Sequence, residues 1–308
     1  MVDADTVRLV LDVLVDDVCK AHPAPESRPG PAAALSRSEV VALAVFGQWG
    51  VFRSERGFDR YARRRLRGAF PTLPARSQFN RLQRAHRDAS AAFFLHLADL
   101  LGAAAAPYEA LDGSGVPTRN AKRRGTGWLA GQATIGWSTS LGWDEGVLLL
   151  LAVTPAGVLT GFGVGPARAR DHQLAETFCA ARRTPTPRLP SVGAPAAGPD
   201  VADEGFEGRD HHARWRAAYA TEVICAPKRN SRQPWPKALR RWLAGVRQIV
   251  ETVYDKLHDA FRLRSERPHE LAGLQTRLAA KAALHNFCLW LNTQLGRDRL
   301  AFADLVAW

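Results

Sequence analysis

The sequence has few cysteines, and they are far apart. Its 308 residues contain only Cys19, Cys179, Cys225 and Cys288, and none of them belongs to a CxxC pair. This spacing fits neither a zinc site nor a disulfide framework, and it is typical of proteins from a reducing compartment. We therefore predict buried structural thiols and a cytoplasmic location.

Long apolar runs are also missing. The longest strongly apolar run, "VLLLLAV" at residues 147–153, is far too short to span a bilayer. The first residues are acidic and never become the continuous apolar block of a secretory signal. We therefore predict no membrane partner.

Acidic residues are in deficit. The chain has 30 Asp and Glu against 42 Lys and Arg, a formal net charge of +12. A field of this sign attracts polyanions and speeds encounter with them. The hydrophobic content of 46% is ordinary for a folded globular protein. Nucleic acid is therefore the expected partner.

Residues 1–105 are predicted to be helical. The "SRSE" sequence at 36–39 has the capping-box pattern of a helix start. Between residues 53 and 87, arginines alternate with apolar residues on two segments separated by the turn "PTLP". Two short helices with one basic face predict a helix-turn-helix-like DNA-binding domain, and the alternative is a solvated, arginine-rich helix pair. The predicted DNA contacts in this region are Arg63, Arg64, Arg65 and Arg81.

Residues 106–308 have a different pattern, in which short apolar runs are followed by alternating helices and strands. This order predicts a mixed α/β layer fold. The segment 184–199 is rich in Pro, Ala and Gly and is predicted to be a surface connector. Strands are predicted at 108–115, 131–138, 146–157, 158–165 and 221–228, with a hairpin turn at 154–157, and long helices at 237–262 and 270–295.

Three acids in this region could serve a metal-dependent phosphodiesterase. Such chemistry needs several carboxylates converging on divalent ions, and Mg²⁺ prefers oxygen ligands. Asp112 lies in a strand signal, Asp203 in "VADEGF", and Glu251 one helical turn after Arg247. Each has a simpler interpretation: Asp112 as a turn cap, Asp203 as part of a solvated acidic loop, and Glu251 as half of a surface ion pair.

Taken together, the three motifs resemble those of the DDE transposases of bacterial insertion sequences. "LDGSGVP" matches the strand with the first Asp, "VADEGF" the second Asp motif, and "VRQIVETVYDKL" the Arg-x-x-x-Glu helix. The stretches "LSRSEVVALAVF", "FPTLPARSQFNRL" and "AALHNFCLWLN" are similar to segments of one subgroup, so the resemblance covers nearly the whole chain. It implies a ribonuclease-H-like mixed sheet flanked by helices over 106–308, preceded by the all-α domain.

The resemblance also implies an activity. A DDE transposase binds the ends of its insertion sequence, cuts them by metal-dependent hydrolysis and joins the freed 3′-OH ends to target DNA. Asp112, Asp203 and Glu251 are then the catalytic residues and hold two Mg²⁺ ions, for which Mn²⁺ can substitute. The implied partners are double-stranded DNA, as terminal inverted repeats and as target, and a second copy of the chain at synapsis, in association with the nucleoid. Two alternatives remain, a nuclease that cuts without joining and an inactive, domesticated DNA-binding protein.

Further residues around these motifs are assigned by position. Asp171 fits an N-cap of the helix that follows it, so we expect Asp203 to be the second metal ligand. The neighbouring acids Glu204, Glu207 and Asp210 are expected to be solvated. The remaining predicted DNA contacts are Arg247 and His258 near the site, and Lys122, Arg123, Arg124, Lys228 and Arg229 on the backbone of the DNA.

Overall fold

The computed structural model describes residues 1–23, 33–120, 128–129, 131–138, 142–184, 191–196, 198–228 and 231–308. Over these ranges the protein is mixed α/β, with a seven-stranded mixed sheet and nine flanking α-helices. The predicted α/β class is confirmed. None of the helices in these ranges combines the length and the apolar character needed to cross a membrane.

The first part of the chain is helical, as the sequence predicts, and consists of five α-helices in the described residues. The predicted capping box is present, since Glu39 N–H donates to Ser36 Oγ (3.2 Å) and Ser36 N–H donates to Glu39 Oε2 (2.6 Å). The two arginine-rich helices are joined by residues 66–75, a connection longer than the three- or four-residue turn of a compact helix-turn-helix. The helices are α1 (Ala4–Ala21), α2 (Arg37–Phe46), α3 (Glu55–Arg65), α4 (Arg76–Ala85) and α5 (Arg87–Leu100).

The strands of the second part assemble into one sheet around its first strand, β2. Strand β2 pairs antiparallel with β4 on one side and parallel with β7 on the other. The sheet order is β6-β5-β4-β2-β7-β8, and β3 also pairs with β4. The strands are β2 (Glu109–Asn120), β3 (Thr134–Ser138), β4 (Gly142–Val153), β5 (Leu159–Pro166), β6 (Ser191–Gly193), β7 (Asp200–Ala202) and β8 (Val223–Cys225), and a separate pair is formed by β1 (Val2–Asp3) and β9 (Val306–Ala307).

The predicted strands and the hairpin turn at 154–157 are confirmed, whereas the surface connector is partly wrong. Residues 191–193 of that segment form the buried edge strand β6, which pairs antiparallel with β5. Val192 enters the apolar core and lies opposite Phe162, so tertiary packing outweighs the Pro- and Gly-rich composition around it.

Helices cover both faces of the sheet because side chains alternate along each strand. On one face, Leu111 and Leu150 pack in a core with Phe178 and Trp215. On the other face, a second core extends without a break into the N-terminal helices. The first face is covered by α6 (Asp171–Ala181) and α7 (Arg209–Tyr219), and the second by α5, α8 (Lys237–Asp259) and α9 (Leu271–Gln294).

A buried ion triad joins α6 to the starts of two neighbouring strands. Glu109 and Asp200 are the first residues of β2 and β7, and they are direct partners in the parallel register. Arg182, just after α6, donates through Nη1 to both Asp200 oxygens at 3.1 Å and through Nη2 to Glu109. All three side chains are at most 2% exposed. We name these three residues the Arg182 triad. It holds the first residues of β2 and β7 together.

The two ends of the chain meet. Val2 pairs with Val306 in the parallel β1–β9 ladder, and Trp308 lies edge-on to Phe52 with ring centroids 5.1 Å apart. Helix α9 packs against α2, α4 and α5, and its Arg277 forms a 2.6 Å ion pair with Glu55 of α3. The N-terminal helices are thus packed on the C-terminal helix.

Candidate functional site

Asp112 lies on β2 three residues after Glu109, so it faces the opposite side of the sheet, where α8 packs. Its Oδ1 accepts a hydrogen bond from Arg247 Nη2 at 2.9 Å. Burial raises the pKa of Asp112 to about 6; Arg247 opposes this rise and the neighbouring Asp203 adds to it. Even with Arg247 beside it, the ionised carboxyl group is therefore held at an electrostatic cost.

Asp203 follows β7, the parallel neighbour of β2. Because Glu109 and Asp200 are register partners, Asp112 and Asp203 each lie three residues further along adjacent strands. The Asp203 Oδ1 accepts from Gly205 N–H at 2.8 Å, in the turn that ends the strand. Its Oδ2 lies 3.8 Å from the same Arg247 Nη2 that contacts Asp112. One guanidinium nitrogen thus lies between the two carboxylates.

Helix α8 carries Arg247 and Glu251 one turn apart, and Glu251 lines the same cavity as the two aspartates. The helix is attached to the sheet by Tyr254, whose hydroxyl donates to Leu149 O at 2.6 Å and lies 3.2 Å from Asp112 O. Burial raises the pKa of Tyr254 well above its ordinary value, so this hydroxyl keeps its proton. The sequence places Tyr254 or Asp255 on the polar line of this helix with Arg247 and Glu251, but it does not predict the anchoring role of Tyr254.

A fourth acid, Asp171, enters the site from the other side of the sheet. It is the first residue of α6, not its N-cap, which is Arg170, so the predicted capping role is wrong. A β-carbon placed on Gly113 would lie 2.9 Å from Asp171 Oδ1, and one on Gly205 would lie 2.6 Å from Oδ2. The carboxylate therefore fits against two residues that have no side chain. Burial raises the pKa of Asp171, and Asp203 contributes to the rise.

The cavity between these residues is acidic, in contrast to the basic chain. It has a volume of about 670 Å³. Its lining includes the carboxylates of Asp112, Asp144, Asp171, Asp203, Glu251 and Asp255. Such an all-oxygen donor set suits a hard divalent cation such as Mg²⁺.

The carboxylates are not arranged around a single point. Within the described residues, no three His, Cys, Asp or Glu side chains form a group that could hold a metal ion. Arg247 supplies the positive charge between Asp112 and Asp203 instead, and its Nε is buried without a hydrogen-bond partner in the described part of the chain. The chemistry of the donors fits Mg²⁺, and the guanidinium occupies the place where a cation is needed.

Comparison of the chain with protein-family models, with curated proteins and with solved structures gave no match.

The predicted DNA contacts near the cavity differ from each other in charge. Arg247 is engaged by both aspartates. His258 also lines the cavity but is only 7% exposed, and burial, helped by Arg264, lowers its pKa to about 4. At neutral pH His258 is therefore an uncharged imidazole, which is a weaker phosphate ligand than a cation. Its contact with DNA remains a prediction.

The other predicted DNA contacts lie on the surface where the structure describes them. Arg64, Arg65, Arg81 and Lys228 are exposed. Arg63 is exposed too, but it pairs with Asp59 at 3.1 Å and donates to Pro74 O at 2.7 Å. Lys122, Arg123, Arg124 and Arg229 lie outside the described residues.

The acids that follow Asp203 are not all solvated. Glu204 and Asp210 are exposed, as predicted. Glu207 is partly buried, and its Oε2 accepts from Lys228 N–H at 3.2 Å, so it helps to hold the segment that leads out of β8. The expectation of a solvated Glu207 is wrong because a backbone donor lies within its reach.

Proposed function

We propose that this protein is a DNA transposase that cuts the ends of an insertion sequence by metal-dependent hydrolysis and joins the freed 3′-OH ends to target DNA. The observation that carries the proposal is the placement of Asp112, Asp203 and Glu251 around one acidic cavity. Two of these acids come from adjacent parallel strands and the third from a helix packed on them. Their motifs are the ones in which the chain resembles that family.

A ribonuclease-H-like core is part of the proposal. It is supported by a mixed sheet whose central strand β2 carries the first acid and whose neighbour β7 leads into the second. Helix α8, which carries the third acid, packs against β2, β4 and β7. Helices on both faces and an all-α region before the sheet agree with the architecture that the resemblance implies.

In the proposed reaction, Asp112, Asp203 and Glu251 hold two Mg²⁺ ions. When bound, such ions activate the attacking oxygen and stabilise the leaving oxygen. Other residues of the chain hold these carboxylates in position. Tyr254 fixes the strand of Asp112 to α8, and the Gly205 N–H orients the Asp203 carboxylate. Arg247 is expected to leave the two aspartates when metal binds, and it is then available to a DNA phosphate.

Double-stranded DNA is the proposed partner, with a second copy of the chain when two ends are held together. The net charge of +12 supports attraction to DNA, while the acidic cavity attracts cations. The exposed Arg64, Arg65 and Arg81 of α3 and α4 are the proposed backbone contacts in the helical region. Lys228 is one on the sheet side.

The proposal is tested with a linear duplex that carries the gene and the DNA on both sides of it. With Mg²⁺ we expect cuts at two inverted repeats and products in which their 3′ ends are joined to a second DNA. Asp112→Asn, Asp203→Asn and Glu251→Gln should each reduce cutting to background while DNA binding stays near that of the wild type. The control is Asp210→Asn, which removes an exposed acid close to Asp203 and should cut normally.

The products separate the alternatives. Cut ends that are never joined to target DNA, under conditions of full binding, would identify a nuclease with the same site. Binding without any Mg²⁺-dependent cutting would identify an inactive DNA-binding protein. Cutting that survives in all three acid variants would show that the reaction does not use this cavity.

A further inference from the structure

The position of Asp171 depends on two glycines that belong to the two aspartate motifs. Gly113 directly follows Asp112, and Gly205 is two residues after Asp203. Oxygens of the Asp171 carboxylate lie where the β-carbons of any other residues would point, at 2.9 Å for Gly113 and 2.6 Å for Gly205. Real β-carbons do not approach an oxygen so closely, so the two glycines leave the room that brings Asp171 to the site.

The glycine at 205 also joins Asp171 to Asp203. The same β-carbon position lies 2.9 Å from Asp203 Oδ1, and the Gly205 N–H donates to that oxygen. The carboxylates of Asp171 and Asp203 therefore both lie beside Gly205. The charge of Asp203 helps to raise the pKa of Asp171, so the two carboxylates repel each other, and a cation between them would relieve the repulsion.

Two structural roles for Asp171 fail. It does not cap α6, because it is the first residue inside the helix. Among the described residues, no Lys, Arg or His side chain forms an ion pair with it; Arg247 makes its ion pairs with Asp112 and Asp203. Burial raises the pKa of Asp171 despite the opposing charge of Arg247, so the ionised carboxylate is held in place at a cost.

We propose that Asp171 is a fourth carboxylate of the divalent-cation site, on the side of Asp203. This inference rests on the proposed function, because it assigns Asp171 to the metal site of that function. It replaces a three-acid site with a four-acid one, of which two acids come from strands β2 and β7 and two from the starting turn of α6 and the middle of α8.

The test measures binding of Mn²⁺ alone to the full chain, by loss of the spectrum of the free ion in electron paramagnetic resonance. We expect Asp171→Asn to raise the Kd of Mn²⁺ by roughly tenfold or more. The matched control is Asp210→Asn, which removes one exposed negative charge outside the described lining of the cavity. It should change the Kd by no more than about twofold, the effect of a screened surface charge.

A second variant displaces Asp171 without changing any charge. Gly113→Ala should push the carboxylate away, because the new methyl group would lie 2.9 Å from Asp171 Oδ1 and 3.5 Å from Leu148, the next nearest contact among the described residues beyond its chain neighbours. We expect the single variant Gly113→Ala to lose a similar amount of Mn²⁺ affinity. When Gly113→Ala is added to Asp171→Ala, we expect no further loss. Such non-additivity is the signature of two residues acting through one contact. Thermal unfolding of each variant checks that it is folded.

The outcomes decide the inference separately from the proposed function. If Asp171→Asn binds Mn²⁺ as tightly as Asp210→Asn, or if Gly113→Ala weakens binding equally with and without the Asp171→Ala substitution, Asp171 is not a ligand. If wild type binds no Mn²⁺ at all, the inference fails with the metal site. If wild type binds Mn²⁺ and Asp171→Asn does not, but no DNA is cut, the inference stands and the transposase proposal fails.

Discussion

Two ion triads lie three residues apart on the same pair of strands, and they differ in almost every physical respect. Glu109 and Asp200 begin β2 and β7 and hold Arg182; Asp112 and Asp203 lie further along and hold Arg247. We name the second set the Arg247 triad. Because three is an odd number of strand positions, Glu109 and Asp112 project from opposite faces of the sheet.

The Arg182 triad is closed. Its members are at most 2% exposed, and Arg182 contacts three carboxylate oxygens at once. The Arg247 triad is open. Its members are 19–38% exposed, its two aspartates line the cavity, and Arg247 makes one contact of 2.9 Å and one of 3.8 Å. The same residue types are therefore shielded from solvent in the Arg182 triad and accessible to water and cations in the Arg247 triad.

The largest expected effect is on stability. Arg182→Met leaves two buried carboxylates without a counterion, and we expect a loss of about 3–5 kcal/mol in the free energy of unfolding. Arg247→Met, at a part-exposed site, should cost no more than about 1 kcal/mol. Urea unfolding at pH 7 measures both. Equal losses in the two variants would end the distinction between a closed and an open triad.

The pH dependence of stability gives the next largest effect. The pKa of Asp112 is about 6 in the folded protein, above the ordinary value of about 3.9. The folded state thus binds more protons between these values, so Asp112 lowers stability as the pH rises from about 4 to 6. Without metal, Asp112→Asn should therefore be stabilised relative to wild type by on the order of 2 kcal/mol at pH 7.

That stabilisation should shrink to less than about 1 kcal/mol at pH 4, where Asp112 is protonated in the folded protein and about half protonated in the unfolded chain. The measurement is urea unfolding in EDTA at the two pH values, with Asp210→Asn as the exposed-acid control. A constant difference between Asp112→Asn and wild type across the range would mean that titration of this carboxyl group is not its cause.

A smaller effect concerns metal affinity. If Arg247 holds the place of a cation, Arg247→Gln should bind Mn²⁺ several-fold more tightly than wild type, because the ion no longer competes with a guanidinium for Asp112 and Asp203. Binding of Mn²⁺ to the protein without DNA is the measurement. Weaker binding in Arg247→Gln would show that the arginine supports the metal site instead of filling it.

The smallest expected effect is at the exposed arginines of α3. Replacing Arg63, Arg64 and Arg65 by Ala should reduce the slope of log K for DNA against log salt by about two units, since each lost phosphate contact removes about 0.9. We expect two units instead of three because Arg63 is already paired with Asp59. Titrations at several salt concentrations give the slope, and an unchanged slope would place DNA elsewhere on the surface.

The parts of the structure that the sequence predicts are those set by local pattern. The capping box at Ser36 acts within one helical turn, and the strand around Asp112 follows from its own apolar alternation and glycines. The sequence also predicts that Asp112, Asp203 and Glu251 lie near one another, because acids next to strand ends and on one helix face meet when those elements pack. All three line one cavity in the structure.

The features that escaped prediction depend on tertiary register. An acid before an apolar helix is a good local N-cap signal, and only the pairing of β2 with β7 brings Gly113 and Gly205 to Asp171. The Arg182 triad is invisible in the same way, since its members are distant in sequence and none belongs to a motif.

The packing of α9 has a consequence for how the chain is made. The apolar faces of α2 and α5 find their partner in a helix synthesised after the entire sheet, and Trp308 completes the aromatic cluster around Phe46 and Phe52. On the ribosome the parts of α2 and α5 that contact α9 stay uncovered until residues 271–294 emerge, although α1 already packs against both helices. Contacts of such wide sequence separation form slowly, because a long loop must close before they are gained. During synthesis, α2 and α5 therefore present apolar surface that is prone to aggregation and that a chaperone would protect.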